Sequence, residues 1–269
     1  MPLKLWQIDA FAEKPLEGNP AAVVPLDAWI EPGLMQAIAR ENNLSETAFL
    51  VKTGDGRYGL RWFTPGGEVD LCGHATLASA WLLFEELDRG LASVTFDTRS
   101  GALTVVCGDG VLTMSLPADP PAPFAAPAGY ADAIGEALGI APPKELWRAR
   151  YLLGLWDDAA VIRSIKGCGE IGRVLRRQGF WGMAVTAAGD HGYDFVSRFF
   201  APDKGVPEDP VTGSAHCILT PFWARRLGKK TMKARQVSPR GGNLTVTDAG
   251  DHTVIGGTCA LYMKGEIRL

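Results

Sequence analysis

Two short stretches carry residues fit for proton chemistry beside a glycine that opens an apolar run: "EVDLCGHATLASA" (68–80) and "EDPVTGSAHC" (208–217). The first puts His74 directly after Gly73, and the second puts Glu208 and Asp209 ahead of Gly213 and Ser214. Histidine and carboxylates are the side chains most used to move protons. The first turn of a helix leaves N–H groups unpaired and carries the positive end of the macrodipole. A glycine there lets a ligand approach the backbone closely. Such a start suits an anion such as a carboxylate. Gly73 with His74, and Gly213 with Ser214, then read as two halves of a carboxylate cradle. Each residue also has a plainer reading. His74 could be a satisfied core histidine, and Asp209 and Ser214 could be helix caps.

The elements that must hold these residues repeat along the chain. "RWFTP" (61–65) resembles "RFFAP" (198–202), and "EVDLCGHATLASAWLLFEEL" (68–87) aligns with "EDPVTGSAHCILTPFWARRL" (208–227). Glu68 then faces Glu208, Gly73 faces Gly213, His74 faces Ser214, Val69 faces Asp209 and Cys72 faces Thr212. Core packing gives no reason to use His or Asp in one copy only. Each copy reads as a strand, a turn and then a helix. The helices run about ten residues without an acidic or basic side chain, His74 and His216 aside, so they must be buried on all faces. Pro221 should kink the second. "PADPPAPFAAP" (117–127), with five prolines in eleven residues, reads as an extended connector. The expected division is 1–117 and 118–259, with about 260–269 returning to the first domain. Strands are expected at 4–10, 20–25, 47–52, 93–98, 103–107 and 111–116, and a helix at 32–41. So many strands point to a barrel or strongly curved sheet.

Composition narrows the function. The 269 residues are 46% hydrophobic and 21% charged, with a net charge of −3, so no basic field favours nucleic acid or an anionic membrane. Five scattered cysteines without a C-x-x-C pair argue against a disulfide framework and a zinc site. The histidines at 74, 191, 216 and 252 show no metal-ligand spacing, and no metal is expected. No stretch is apolar for long enough to span a bilayer, and "MPLKLWQIDAF" lacks a secretory pattern. A reduced cytoplasm is the expected location. "GCGEIG" (167–172) matches G-x-G-x-x-G. Its upstream "DDAAVIRSIK" reads as a short helix rather than a strand, which argues against a dinucleotide site.

The motifs "QIDAFAEKPLEGNPAAVV", "NLSETAFLV", "RWFTPGGEVDLCGHATLASA", "SRFFAP", "EDPVTGSAHC" and "QVSPRGG" together resemble the PhzF-like isomerase family, named for phenazine biosynthesis. They run in order from residue 7 to 242, nearly the whole chain. The resemblance implies an α+β fold similar to diaminopimelate epimerase: two pseudo-symmetric halves, each a β-barrel around a central apolar helix, with the active site in the cleft between them. It also implies a cofactor-independent isomerase that moves a proton between carbons of a small carboxylate-bearing substrate. The family's catalytic glutamate falls on Glu46 of N-L-S-E-T. By its residues alone Glu46 reads as a surface loop acid. The implied role requires it to be partly buried, with a pKa raised toward neutrality. His74 and Asp209 would assist proton transfer, and Gly73, Gly213 and Ser214 would bind the carboxylate. Asn19 of "EGNP" would reach the substrate as well. The related epimerases use two cysteines. Here Cys72 faces Thr212, too weak an acid, so two-thiol racemisation is disfavoured and Cys72 reads as structural. An amino- or hydroxy-acid epimerase, or a non-catalytic binding protein of the same fold, remain as alternatives. A homodimer is left open.

Overall fold

The computed structural model describes residues 2–269. Its contacts divide into two units, residues 1–115 with 255–269, and 116–254. Among the described residues no helix is long and apolar enough to cross a membrane.

In the first unit, alternation decides which side chains meet which helix. Strands β1 (Leu3–Ala10) and β2 (Asn19–Leu26) pair antiparallel. Helix α1 (Pro32–Asn42) follows, then β3 (Glu46–Gly54) lies parallel to β2. On β2, Ala22 and Val24 pack with Met35, Ile38 and Ala39 of α1 and with Phe49 of β3. Successive strand residues point to opposite faces, so Ala21 and Val23 turn the other way, toward α2 (Gly73–Leu82), which packs against β1, β2 and β3. Both faces are therefore buried. From β3 the sheet continues through antiparallel β4 (Arg57–Thr64), whose end pairs with the short β5 (Gly67–Val69), then parallel β6 (Ser93–Thr98). Antiparallel β7 (Gly101–Gly108) and β8 (Val111–Pro117) follow.

The central helix α2 is buried from His74 to Ala80 and at Leu82. Its polar side chains turn back on its own backbone: the Thr76 hydroxyl donates to Cys72 O (2.5 Å) and Ser79 to Ala75 O (2.7 Å). That is how an apolar barrel accommodates them without orphaned hydroxyls. Residues Leu83–Leu87 add a π turn, closed by Asp88 N–H on Leu83 O (2.8 Å).

The second unit repeats the plan. It begins with the short β9 (Ala122–Pro123) and α3 (Tyr130–Leu138), then β10 (Glu145–Arg148) antiparallel to β11 (Leu152–Leu155). Helices α4 (Ala159–Ser164) and α5 (Ile171–Arg176) cross to β12 (Met183–Ala188), parallel to β11. Strand β13 (Phe195–Ala201) is antiparallel to β12 and meets the short β14 (Val206–Asp209). Helix α6 (Gly213–Leu227) leads to β15 (Thr231–Gln236), parallel to β13, and then antiparallel β16 (Gly242–Asp248). The order parallel, antiparallel, parallel, antiparallel matches β2–β3–β4–β6–β7 in the first unit. The chain leaves through β17 (His252–Gly257), and β18 (Cys259–Ile267) pairs with β1 from Leu3↔Ile267 to Ala10↔Cys259.

Helix α6 runs on through Pro221. A proline there withholds the N–H that Cys217 O would accept. The backbone N–H of Asp119 supplies it instead, at 3.0 Å. The "GCGEIG" segment follows α4 and runs into the start of α5, with a helix rather than a strand in front of it, so it has no dinucleotide-binding context.

Candidate active site

In the first unit three connections converge on one ring. Helix α1 ends at Asn42, with Asn43 in a left-handed cap (φ 48°). The Asn42 amide donates to the buried Thr47 hydroxyl (3.0 Å). The chain therefore turns straight into β3 with Glu46 as its first residue, opposite Ala21. The Glu46 side chain is only 16% exposed. It is not a surface loop acid, because strand pairing draws it inward. Asn19 opens β2 and is fully buried. The preceding Gly18 has φ +63°, and a Cβ there would lie 2.1 Å from Ala10 O, so only glycine can enter the strand this way. His74 is the second residue of α2.

These residues meet. His74 Nε2 lies 3.0 Å from Glu46 Oε2. His74 Nδ1 lies 3.2 Å from Asn19 Nδ2 and 3.5 Å from Cys72 Sγ. Neither His74 Nε2 nor Glu46 Oε2 completes a directed hydrogen bond among the described residues, so the 3.0 Å approach is a charge contact off the N–H axis. Burial alone disfavours an imidazolium. Cys72 and Glu46 outweigh it and hold the His74 pKa well above its ordinary value. Of these two, Glu46 lies closer to the ring, and near pH 7 Cys72 contributes no charge. Burial pushes the Cys72 thiol up to about 11, so it is neutral there. A carboxyl group and an imidazole at this distance can accept a proton at one atom and donate one from the next. Cys72 is buried, but it touches the key ring rather than serving packing alone.

Glu46, Cys72 and His74 offer oxygen, sulfur and nitrogen atoms within 4.8 Å of one another, a donor set some divalent ions accept. The fit is poor. Cys72 meets the ring at Nδ1 and Glu46 at Nε2, so one ion reaches all three only if the ring turns.

In the second unit the start of α6 is held by a side chain from another hairpin. Thr212 is the N-cap residue, with no side-chain cap bond. Neither Asp209 nor Ser214 caps the helix. The Thr212 hydroxyl instead donates to Asp209 Oδ2 (2.5 Å). Gln236, fully buried at the end of β15, uses its whole amide here. Its Oε1 accepts from Thr212 N–H (2.9 Å), and its Nε2 donates to Asp209 O (2.6 Å) and Thr212 Oγ1 (3.3 Å). Ser238 Oγ adds a bond to Pro210 O (2.8 Å). Beside Gly213, the Ser214 hydroxyl meets Tyr151 OH at 2.9 Å. Tyr151 is itself wedged edge-on between Trp181 and Phe199.

The first unit thus gathers Asn19, Glu46, Gly73 and His74, and the second gathers Asp209, Gly213 and Ser214. Glu68 and Glu208 brace the strands ahead of the two helices through two-pronged pairs with Arg61 (2.7 and 2.8 Å) and Arg198 (2.6 and 2.7 Å). Gln236 and Tyr151 escaped the reading of residue types. Gln236 stands in the conspicuous "QVSPRGG", but an amide carries no chemical signature of a latch, and nothing marks Tyr151.

A family model described as "Phenazine biosynthesis-like protein" matches residues 8–265. An uncharacterized isomerase of Pseudomonas aeruginosa is 49% identical over 269 residues, covering 100% of both chains. The crystal structure of a PhzF-family phenazine biosynthesis protein from Enterococcus faecalis superposes with a TM-score of 0.93 at 42% identity, covering 100% of both. A hydroxyproline epimerase from Agrobacterium vitis, 13% identical, shares the fold with a TM-score of 0.64 over 100% of this chain and 93% of that one.

Proposed function

The chain belongs to the phenazine biosynthesis-like family, an isomerase and epimerase group, and from that premise we propose that it shifts a proton between carbons of a small carboxylate-bearing metabolite. The observation that carries this reading is the Glu46 carboxylate 3.0 Å from Nε2 of the buried His74. Glu46 is the base that takes the proton from carbon and returns it one position along. His74, charged beside it, polarises the substrate and offsets negative charge that develops as the C–H bond breaks. The first-turn amides at Gly73 receive a substrate oxygen or carboxylate. Asp209 assists proton transfer, and Gly213 and Ser214 bind the carboxylate. These second-unit roles are carried over from the resemblance of "EDPVTGSAHC" to the family motif, and the latch of Thr212 and Gln236 on Asp209 is in keeping with them. Because only a proton moves, acids, bases and oriented donors supply all the chemistry the step needs.

The two-thiol route of an epimerase has no support in these contacts. The Cys72 thiol is buried with its pKa near 11, and Thr212, its counterpart, donates its hydroxyl to Asp209.

The test is proton NMR in D₂O with trans-2,3-dihydro-3-hydroxyanthranilate, comparing wild type with Glu46→Gln. Isomerisation by the wild type, reduced at least about 100-fold in the variant, is expected for a general acid–base residue. Equal turnover by both removes Glu46 from the chemistry. If neither converts it, this substrate is wrong, and deuterium incorporation into other small carboxylates becomes the assay.

A further inference from the structure

Asn19 lies at the charged pair without any evident part in moving the proton. Resting on the reading of Glu46 and His74 as the proton-handling pair, we propose that Asn19 is a positioning residue whose carboxamide pins Nδ1 of His74, so that Nε2, the nitrogen 3.0 Å from Glu46 Oε2, keeps its hydrogen in both charge states of the ring.

The geometry makes a ring-holding role for Asn19 direct. Asn19 is fully buried, and its Nδ2 sits 3.2 Å from His74 Nδ1. Its backbone is fixed twice, by the pairing of β2 with β1 at Ala10 and by Gly18, where no larger residue fits. The histidine is fixed too, at the second position of a helix buried all round. The remaining freedom is which ring nitrogen carries the hydrogen, and a partner at one nitrogen decides that for the other.

A carboxamide suits this because it carries both a donor and an acceptor. Toward a neutral ring its N–H donates to bare Nδ1. Toward an imidazolium, a half-turn presents its C=O to the Nδ1 hydrogen. Both leave the hydrogen on Nε2, the nitrogen nearer Glu46. Leucine offers neither interaction, and aspartate offers only the second and would trap the charged ring. Cys72 Sγ, 3.5 Å from the same nitrogen, is a weak competitor as donor and acceptor.

Other charged groups on the elements around α2 are engaged elsewhere. Asp9 of β1 accepts the Leu16 N–H, Lys52 of β3 pairs with Asp88, and Lys264 of β18 pairs with Glu86. Cys259 of β18 is engaged by the Phe11 backbone. Glu46 and Cys72 are the titratable groups that act on the ring.

The experiment reads the imidazole nitrogens directly. The full chain is labelled with ¹⁵N-histidine, His74 is assigned by the signal missing from His74→Gln, and two-bond ¹H–¹⁵N spectra are recorded against pH. Wild type should carry its hydrogen on Nε2 throughout, with Nδ1 as the nitrogen that titrates. In Asn19→Leu the neutral ring should populate the Nδ1–H form. In Asn19→Asp the titration midpoint should rise by at least one pH unit. A pure Nε2–H ring in Asn19→Leu, or an unmoved midpoint in Asn19→Asp, overturns the proposal. Either variant suffices if the other does not fold. With the active substrate, Asn19→Leu should also lower kcat at least tenfold while KM stays within twofold. The two readings fail separately. Unimpaired turnover by Glu46→Gln removes the proton-transfer role, whereas the nitrogen spectra report the hold of Asn19 on the ring whatever the substrate.

Discussion

His74 and His216 occupy the same depth of interior and have opposite electrostatics. His74 has Glu46 beside it, and its pKa is held well above the ordinary value. His216 is completely buried, bonds through Nδ1 to Thr212 O (2.8 Å), and faces Phe195 rather than an acid. Burial pushes its pKa down to about 4. The consequence for stability has a definite sign. An unfolded chain protonates His216 near its ordinary 6.5, whereas the folded one resists until about 4. Stability is therefore lost as pH falls from 6.5 toward 4, by up to about 3 kcal/mol. His74 acts the other way. Its contribution is present below pH 6.5 and fades as pH rises through its raised folded pKa. Urea midpoints measured from pH 7.5 to 4 should fall on the acid side in wild type, and markedly less in His216→Gln. An identical acid slope in the variant would show that another group is responsible. The sequence marked both histidines as candidates or core, but it could not say which would be charged, since that depends on the neighbour each meets.

The elements divide their work between holding and presenting. α2 and α6 present their first turns, and flanking strands hold those turns in place. On the α6 side the holder is the β15–β16 hairpin, through Gln236 and Ser238. Replacing Gln236 by Met keeps the volume and removes bonds to Thr212 N, Asp209 O and Thr212 Oγ1. Buried backbone groups left unpaired cost about 1–3 kcal/mol each. Gln236→Met should lower the unfolding free energy by about 2–4 kcal/mol and reduce kcat/KM more than tenfold, because the Asp209–Thr212 loop is unlatched. A variant with wild-type activity and a lowered midpoint would mean that the latch serves folding alone. The strands and helices themselves were legible: β1, β2, α1, β3, β6, β7 and β8 lie close to the ranges expected from the sequence. The exchange of bonds at Pro221, where Asp119 N–H replaces the missing donor, was not. The sequence signalled a kink, and the partner comes from a segment about a hundred residues away.

Across the whole molecule, the duplication visible in "RWFTP" and "RFFAP" extends to the ion pairs. Arg61 grips Glu68 and Arg198 grips Glu208 with the same two-pronged geometry. The copies differ in burial. The Arg198 side chain is 4% exposed and Arg61 22%, and Glu68 has a second cation in Arg99 (2.7 Å). Removing one partner of a buried pair strands the other charge and costs about 3–5 kcal/mol. Glu208→Gln should approach that cost, while Glu68→Gln should cost about 1 kcal/mol, with both read by urea unfolding. Equal losses would mean that burial does not govern the pairs. The sequence by itself determined the repeat, the two apolar helices and the family motifs, because these are periodic or contiguous patterns written locally along the chain, and the α+β class followed from the resemblance those motifs carry. The tertiary structure alone decided that Asn19, Glu46, Cys72 and His74 share one ring, and that Gln236 holds Asp209. Those contacts depend on strand pairing and helix docking, which bring distant residues to within three or four ångströms and leave no mark in the intervening sequence.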